Sequence, residues 1–232
     1  MTRIALFGAS GRMGRAIAQI ADARDDLLID DADPDVFIDF TAPDPLALHL
    51  EEAVHARKPI VVGTTGLEDH HHKLIDAAAR SVAVLQAANT SLGIALLVHL
   101  TREAAARLGS DWDVEILEMH HRLKVDAPSG TALLLGEAAA QGRDLDLRSI
   151  WAPIRNGITG PRKEGHIGFA SLRGGSVAGD HHVIFAGESE RLELVHRAES
   201  RAIFAQGAVR AAEWLIGKPP GRYRMADVLG LG

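Results

Sequence analysis

The opening residues constrain the fold more than any others: an apolar run breaks into a glycine-spaced turn, and the turn leads into a helical pattern. Residues 4–7 are apolar, Gly8-Ala9-Ser10-Gly11-Arg12-Met13-Gly14 follows at once, and residues 15–23 carry Ile17, Ile20 and Ala21 at helical spacing. The alternation continues. Residues 36–40 read as a buried strand closed by Thr41-Ala42-Pro43, 46–56 as a helix, 59–62 as a strand ending in Gly63-Thr64-Thr65-Gly66, 67–80 as a helix and 82–87 as a strand. Strands alternating with helices imply a parallel sheet covered on both faces. After Asn89 the pattern changes. Residues 92–108 form a long Ala-rich helical stretch, 113–118 a strand, 120–131 a polar loop and 132–140 a helix. Residues 150–199 are β-rich, and the alternation over 191–196 suits an antiparallel sheet with one polar face. A last helix, 202–216, is stopped by Gly217, Pro219 and Pro220. The organisation is an α/β part followed by an α+β part, without internal repeats.

Composition narrows the function classes. With 232 residues and roughly 150 per domain, the chain makes one large domain or two small ones. Hydrophobic residues at 47% and charged residues at 24% are globular values and exclude a disordered chain. The absence of cysteine excludes disulfides, iron–sulfur clusters, Cys-ligated zinc and a thiol nucleophile. A net charge of -6 argues against a general nucleic-acid binder. No apolar run reaches about 18 residues, the length a membrane helix needs. The N-terminus breaks to Gly8 too early for a signal peptide. These readings predict a cytoplasmic protein with no membrane or nucleic-acid partner.

Four motifs carry chemistry. Gly8, Gly11 and Gly14 let the chain turn tightly and let a pyrophosphate approach the backbone at a helix N-terminus, where free N–H groups and the dipole favour an anion; the alternative is a tight turn without a ligand. Asp30 and Asp31 follow the short apolar run 27–29, where a carboxylate would bond ribose hydroxyls and repel a 2′-phosphate, or would be merely solvated. Gly63, Thr64 and Thr65 end a strand on the edge that faces the ligand crevice in open α/β sheets, with two hydroxyls that could pass close to a nicotinamide; a plain turn is the alternative. The densest region is Glu115 to Thr131. His120, His121, Arg122 and Lys124 gather there with Ser129-Gly130-Thr131, which can open a helix. Cations, hydroxyls and helix N–H groups make an anion pocket, and a His beside a Lys offers proton transfer near neutral pH. Adjacent histidines in a cation-rich loop are a poor zinc cage. His70-His71-His72 is placed on a surface helix with no acidic or His partner, and His181-His182 on a strand with one side chain to each face.

These residues resemble the 4-hydroxy-tetrahydrodipicolinate reductase family, formerly called dihydrodipicolinate reductases, of the bacterial lysine and diaminopimelate pathway. The family signature E-[IV]-x-E-x-H-x-x-x-K-x-D-x-P-S-G-T-A is matched at every fixed position from Glu115 to Ala132. The sequences GASGRMGR, DFT at 39–41, GTTG at 63–66, AAN at 87–89 and the stretch RLELVHRAESRAIFAQGAVRAAEWL are also similar to the family. The resemblance implies a Rossmann-like dinucleotide-binding domain over 1–90 and 202–232. It also implies an α+β domain over 91–201, with a mixed sheet that binds substrate and builds a homotetramer. It implies reduction of a cyclic dicarboxylate by NADH or NADPH. His120 would be proton donor or acceptor and Lys124 a proton donor. His121, Lys124, Ser129, Gly130, Thr131 and Arg201 would hold the carboxylates. The dinucleotide would be contacted by Gly8, Ala9, Ser10, Gly11, Arg12 and Met13, by Gly63, Thr64 and Thr65, and by Ala87, Ala88, Asn89 and Thr90, with Asp30 at the ribose and no metal.

Three departures stand out. The segment between Asp30 and Pro34 is shorter than is usual, with the Arg that often neighbours the ribose acid missing, which leans toward NADH. Thr90 replaces an aromatic residue and Leu123 a third His. Another Rossmann reductase, acting on amino acids or small imines, is the first alternative, and the long signature opposes it. A dinucleotide-binding sensor without turnover is the second, and His120 with Lys124 opposes it.

Overall fold

A computed structural model describes residues 1–152 and 155–231. The elements in chain order are β1 (Thr2–Phe7), α1 (Arg12–Asp22), β2 (Leu27–Ile29), β3 (Val36–Asp39), α2 (Leu46–Ala56), β4 (Ile60–Val62), α3 (Asp69–Ala78) and β5 (Ala83–Gln86). There follow α4 (Leu92–Leu108), β6 (Asp113–His120), α5 (Gly130–Gly142), α6 (Leu147–Ile150), β7 (Ile167–Arg173), β8 (Gly179–Ala186) and β9 (Arg191–Ala198). The chain ends with α7 (Ala202–Leu215), β10 (Gly221–Tyr223) and α8 (Met225–Val228). It forms two compact units, Met1–Leu92 with Ala202–Gly232, and Gly93–Arg201.

The first unit is an all-parallel sheet in the order β10-β5-β4-β3-β1-β2. Its middle strands β3 and β4 are buried at every position, as strands covered on both faces must be. Phe37, Ile60, Val62 and Val84 pack with Leu46 and Leu50 of α2 and Ile75 of α3. The helix α7 packs on β3, β4 and β5 and beside α1. Its Gly207 lies so close to the Thr90 carbonyl that a Cβ there would stand 1.8 Å from that oxygen. The chain crosses from one side of β1 to the other between β2 and β3, which is the topological switch point where such sheets bind ligands.

That crossing takes only residues 30–35. Parallel strands ordinarily need a dozen or more residues to return to the same end of the sheet. Here none is needed, because β2 pairs with Thr2–Ile4 and stops, while β3 starts at the level of Ile4 and pairs up to Phe7. Side chains hold the short link against β1: Asp35 accepts from the Arg3 backbone N–H at 2.9 Å and from its guanidinium, Asp33 also bonds that guanidinium, and Asp31 accepts from the Leu6 N–H at 3.1 Å.

The second unit is a four-stranded sheet in the order β7-β6-β8-β9. Period-two alternation suggests antiparallel pairing, and β6–β8 and β8–β9 are antiparallel. The pair β6–β7 is parallel, so the sheet is mixed, as the resemblance implies; α5 and α6 carry the chain back before β7 begins. One face of the sheet (Val114, Ile116, Ile167, Val183, Phe185) packs on Ile94 and Leu97 of α4 and on Ala132, Leu135 and Ala139 of α5.

Other expectations need adjustment at their edges. The helix α1 begins at Arg12, so Gly14 lies in its first turn rather than before it. The polar loop is shorter than expected, since His120 ends β6 and Gly130 starts α5. Residues 147–150 form a helical turn, and β10 adds a sixth strand; neither is visible in the sequence pattern, being four and three residues long. The triple histidine does have an acidic partner, contrary to expectation. His71 is buried, its Nδ1 accepts from the Glu68 N–H at 3.0 Å in a capping box, and His70 Nδ1 lies 3.6 Å from the Glu68 carboxylate. Among the described residues no group of three His, Asp or Glu side chains could hold a metal ion, and no helix is long and apolar enough to cross a membrane.

Candidate functional site

In the first unit, the segments after β3, β4 and β5 and the start of α1 surround a cleft of about 420 Å³. It is lined by Arg12, Met13, Gly63, Thr64, Thr65, Ala88, Asn89 and Thr90 from the expected set, joined by Phe40, Thr41 and Phe204. Gly8, Ala9, Ser10, Gly11, Asp30 and Ala87 do not line it. The glycines have steric reasons. Gly8 has a φ of +87°, and a Cβ on it would stand 2.9 Å from the Phe40 carbonyl oxygen. A Cβ on Gly14 would stand 2.3 Å from the Gly8 oxygen, so α1 begins pressed against the turn. The N-cap of α1 is Gly11, which offers no side-chain cap, and the first turn holds no acidic residue, so its N–H groups favour an anion.

Beneath the cleft sits Asp39, fully buried at the end of β3. A buried carboxylate needs several donors. Asp39 accepts from the Thr41 N–H at 2.9 Å, the Thr41 hydroxyl at 2.6 Å and the Thr64 hydroxyl at 3.2 Å, and pairs with His49 Nδ1 at 2.9 Å. Of the two hydroxyls in the Gly63–Gly66 turn, that of Thr64 is therefore engaged inward by Asp39. The Thr90 hydroxyl is likewise bound, to the Phe204 carbonyl at 2.7 Å, and Phe204 brings an aromatic residue to the lining near the position where the sequence lacks one. Asp30 lies on the link after β2 and accepts from the Ala32 and Asp33 N–H groups at 2.9 and 3.3 Å.

The second unit carries the titratable groups. The strand β6 alternates in burial, so Glu118 and His120 follow Val114 and Ile116 on the core face, where the apolar stripe ends in two polar side chains. Glu118 is 1% exposed and its Oε2 lies 2.5 Å from His120 Nδ1. Arg173, at the end of β7, bonds the same carboxylate at 2.9 Å. Burial pushes the Glu118 carboxyl up, but hydrogen bonds from Arg173, Ser171 and His120 and the charge of His120 outweigh it and hold its pKa below the usual range. The imidazole is thus held through Nδ1.

Around this pair the polar loop gathers cations. Arg201 donates to His121 Nε2 at 3.0 Å. Burial, then the charges of Arg201, His120, Lys124 and Arg173, lower the pKa of His121. Lys124 Nζ contacts both oxygens of Asp126 at 2.8 Å, and this bond, against burial, keeps the Asp126 carboxyl low. Ser129 caps α5 by accepting from the Ala132 N–H at 3.2 Å, and the space around Gly130 is open, with nothing within 4 Å of where a Cβ would be. Thr131 sits half-buried in the first turn of α5. Cations and an open helix N-terminus together make a site for an anion.

A model of the dihydrodipicolinate reductase C-terminus matches residues 93–229, and a model of its N-terminus matches residues 25–90. The chain belongs to the dihydrodipicolinate reductase family. It is 53% identical to the 4-hydroxy-tetrahydrodipicolinate reductase of Zymomonas mobilis over 247 aligned residues, covering 99% of this chain and 97% of the relative. It is 47% identical to that of Caulobacter vibrioides, covering 98% and 97%. A dipicolinate-bound dihydrodipicolinate reductase from Paenisporosarcina sp. TG-14 shares the fold with a TM-score of 0.79 at 23% identity, covering 98% of both chains. The two sheets, one parallel and one mixed, are thus the Rossmann-like and α+β halves of a dihydrodipicolinate reductase.

The sequence assigns no role to several residues that the structure places at these two regions, although Glu118, Asp39 and Phe204 lie within motifs quoted above and His181 on an expected strand. Glu118 could have been found from parity with His120 along β6. Arg173, His181, Asp39, His49 and Phe204 could not, because each reaches its partner through strand register or helix packing.

Proposed function

We propose that the chain reduces 4-hydroxy-tetrahydrodipicolinate to tetrahydrodipicolinate, with a nicotinamide dinucleotide held by the first unit and His120 and Lys124 managing protons at the dicarboxylate ring. The observation that carries this reading is the buried Glu118–His120 pair opening onto a cation-rich loop, within a signature matched at every fixed position. The residues fit the dinucleotide: the glycine turn leaves no room for a Cβ at Gly14, the N-terminus of α1 is uncapped by side chains, and the cleft is open. The reduced nicotinamide supplies the hydride.

The chain's own groups supply position and field. Hydride addition to a conjugated imine builds negative charge in the ring, which a positioned acid quenches. Nδ1–H of His120 donates to Glu118, so Nε2 holds or gives the proton, and the ionised Glu118 steadies the imidazolium. His121, Arg201 and Lys124 hold one carboxylate, while Ser129, Gly130 and Thr131 at the start of α5 hold the other. That a relative from Paenisporosarcina binds dipicolinate, a planar dicarboxylate, supports a dicarboxylate as the ligand class. The acidic link, with Asp30, Asp31, Asp33 and Asp35 side by side, disfavours a 2′-phosphate and favours NADH. The protein works in the cytoplasm as a homotetramer built on the mixed sheet.

His120→Gln tests the assignment. Turnover falls about 10²–10⁴-fold while cofactor affinity is kept, as for loss of a general acid. Turnover within a few-fold of the wild type sinks the role of His120.

A further inference from the structure

The second unit buries one more histidine, and nothing in the proposed proton path uses it. His181 lies on the core face of β8, is 4% exposed, and stands directly across the ladder from Glu118 on β6 and from His196 on β9. Its Nε2 lies 3.1 Å from Ser129 Oγ, and its ring meets that of His120 edge-on with centroids 5.1 Å apart. Its Nδ1 is buried without a hydrogen-bond partner. Burial, then the charge of His120, holds the pKa of His181 down at about 4, with Glu118 opposing and His196 and Lys124 assisting, so the ring is neutral at working pH.

A neutral imidazole has one N–H and one lone pair, and the surroundings choose between them. With the proton on Nδ1, a buried N–H would have no acceptor, an arrangement that folded proteins rarely tolerate. With the proton on Nε2, the ring donates to Ser129 Oγ. That oxygen already accepts from the Ala132 N–H at 3.2 Å. A hydroxyl has two acceptor sites and one hydrogen. With both acceptor sites filled, the Ser129 hydrogen must point away from His181 and Ala132, as a donor for whatever occupies the start of α5.

We infer that His181 is a positioning residue that turns Ser129 into an obligate donor, selecting an accepting group such as a carboxylate oxygen over a donating one at the N-terminus of α5. The inference rests on the reading of Ser129 as a ligand of a substrate carboxylate. It adds a specificity element on a strand remote in sequence from the signature, acting through a hydroxyl rather than touching the substrate.

The test is a cycle of variants read by kcat, KM and calorimetric binding of pyridine-2,6-dicarboxylate, with NADH affinity as the control for folding. His181→Leu raises KM and the dicarboxylate Kd about tenfold to hundredfold, as expected for losing an oriented bond to a charged group, with a smaller change in kcat. His181→Gln, whose amide nitrogen falls where Nε2 was, restores most of the affinity. In a Ser129→Ala background the His181→Leu change has no further effect, because the residue acts through the hydroxyl. Unchanged KM and Kd in His181→Leu, or an equal penalty with and without Ser129, overturns the inference. If His181→Leu fails to bind NADH, His181→Gln decides alone: dicarboxylate affinity as poor as that of Ser129→Ala overturns it. If Ser129→Ala itself leaves KM and Kd unchanged, the reading of Ser129 as a carboxylate ligand fails instead.

Discussion

The region at the switch point of the first unit and the region at the end of β6 in the second are built from different materials. The first is made of backbone and space: three glycines, an uncapped helix start, and a carboxylate, Asp39, whose hydrogen bonds point into the protein. The second is made of side chains with charge to exchange: Glu118, His120 and Arg173 in one cluster, and the His121–Arg201 pair within electrostatic reach of His120, Lys124 and Arg173. The contrast suits the tasks proposed for them. The pyrophosphate of a dinucleotide keeps its charge throughout, so fixed N–H groups and close approach suffice to hold it. A ring that gains a hydride and a proton needs groups whose protonation can change. The two regions therefore fail differently when altered.

The largest effect is expected where a charge is buried. Glu118→Gln leaves Arg173 and His120 without their shared carboxylate, and removing one member of a buried ion pair costs about 3–5 kcal/mol. Denaturant titration measures that loss, and kcat falls with it while NADH affinity holds. A stable, fully active Glu118→Gln variant would erase the distinction between the regions.

The pH dependence sharpens it. His181 has its folded pKa lowered to about 4 against an ordinary 6.5. Between those values the unfolded chain binds more protons, so stability rises with pH across the window. The contribution is full above pH 6.5 and lost as pH falls toward 4, amounting to about 3 kcal/mol at 1.36 kcal/mol per pH unit. Glu118, His120, His196 and Lys124 surround the ring, so the clean readout is a difference: His181→Gln should flatten the stability curve over this range. An equally steep curve would place the titration elsewhere.

Steric changes dominate the first unit. Gly14→Ala forces a Cβ to within 2.3 Å of backbone that has no flexible end to yield. Overpacking of this kind costs about 1–3 kcal/mol, and the NADH Kd should rise about tenfold or more as the turn shifts. Dicarboxylate affinity measured by calorimetry should stay at the wild-type value; a parallel loss of both would show that the regions are not separable. The smallest effect is at the link, where Arg3 lowers the pKa of Asp35 through hydrogen bonds. Asp35→Asn should cost about 0.5–1 kcal/mol, since the pair is partly exposed. The loss should disappear as pH falls through the Asp35 pKa, because protonation removes the same pairing from the wild type.

How much was legible in the sequence also differs between the regions. The strand–glycine–helix opening and the alternation through residue 87 are local patterns, and they lead directly to a parallel sheet. The spans Leu46–Ala56 and Leu92–Leu108 coincide with the structure because apolar spacing and flanking residues mark both ends. The signature pointed to His120, Lys124 and Ser129 because its residues are contiguous. What was illegible depends on register and on chain return. The parallel pairing of β7 with β6 follows from the path of α5 and α6, and β10 is only three residues long. The link 30–35 reads as a deletion, yet its workings emerge only from β2 stopping at the level where β3 starts. His181 meets Ser129 across 52 positions of sequence, a contact that no periodicity encodes.

The most direct test of the central claim is consumption of NADH and NADPH, in parallel, with 4-hydroxy-tetrahydrodipicolinate freshly generated by a synthase. The account predicts turnover with this substrate and a higher kcat/KM with NADH. Tight cofactor binding with no turnover with either cofactor would contradict it.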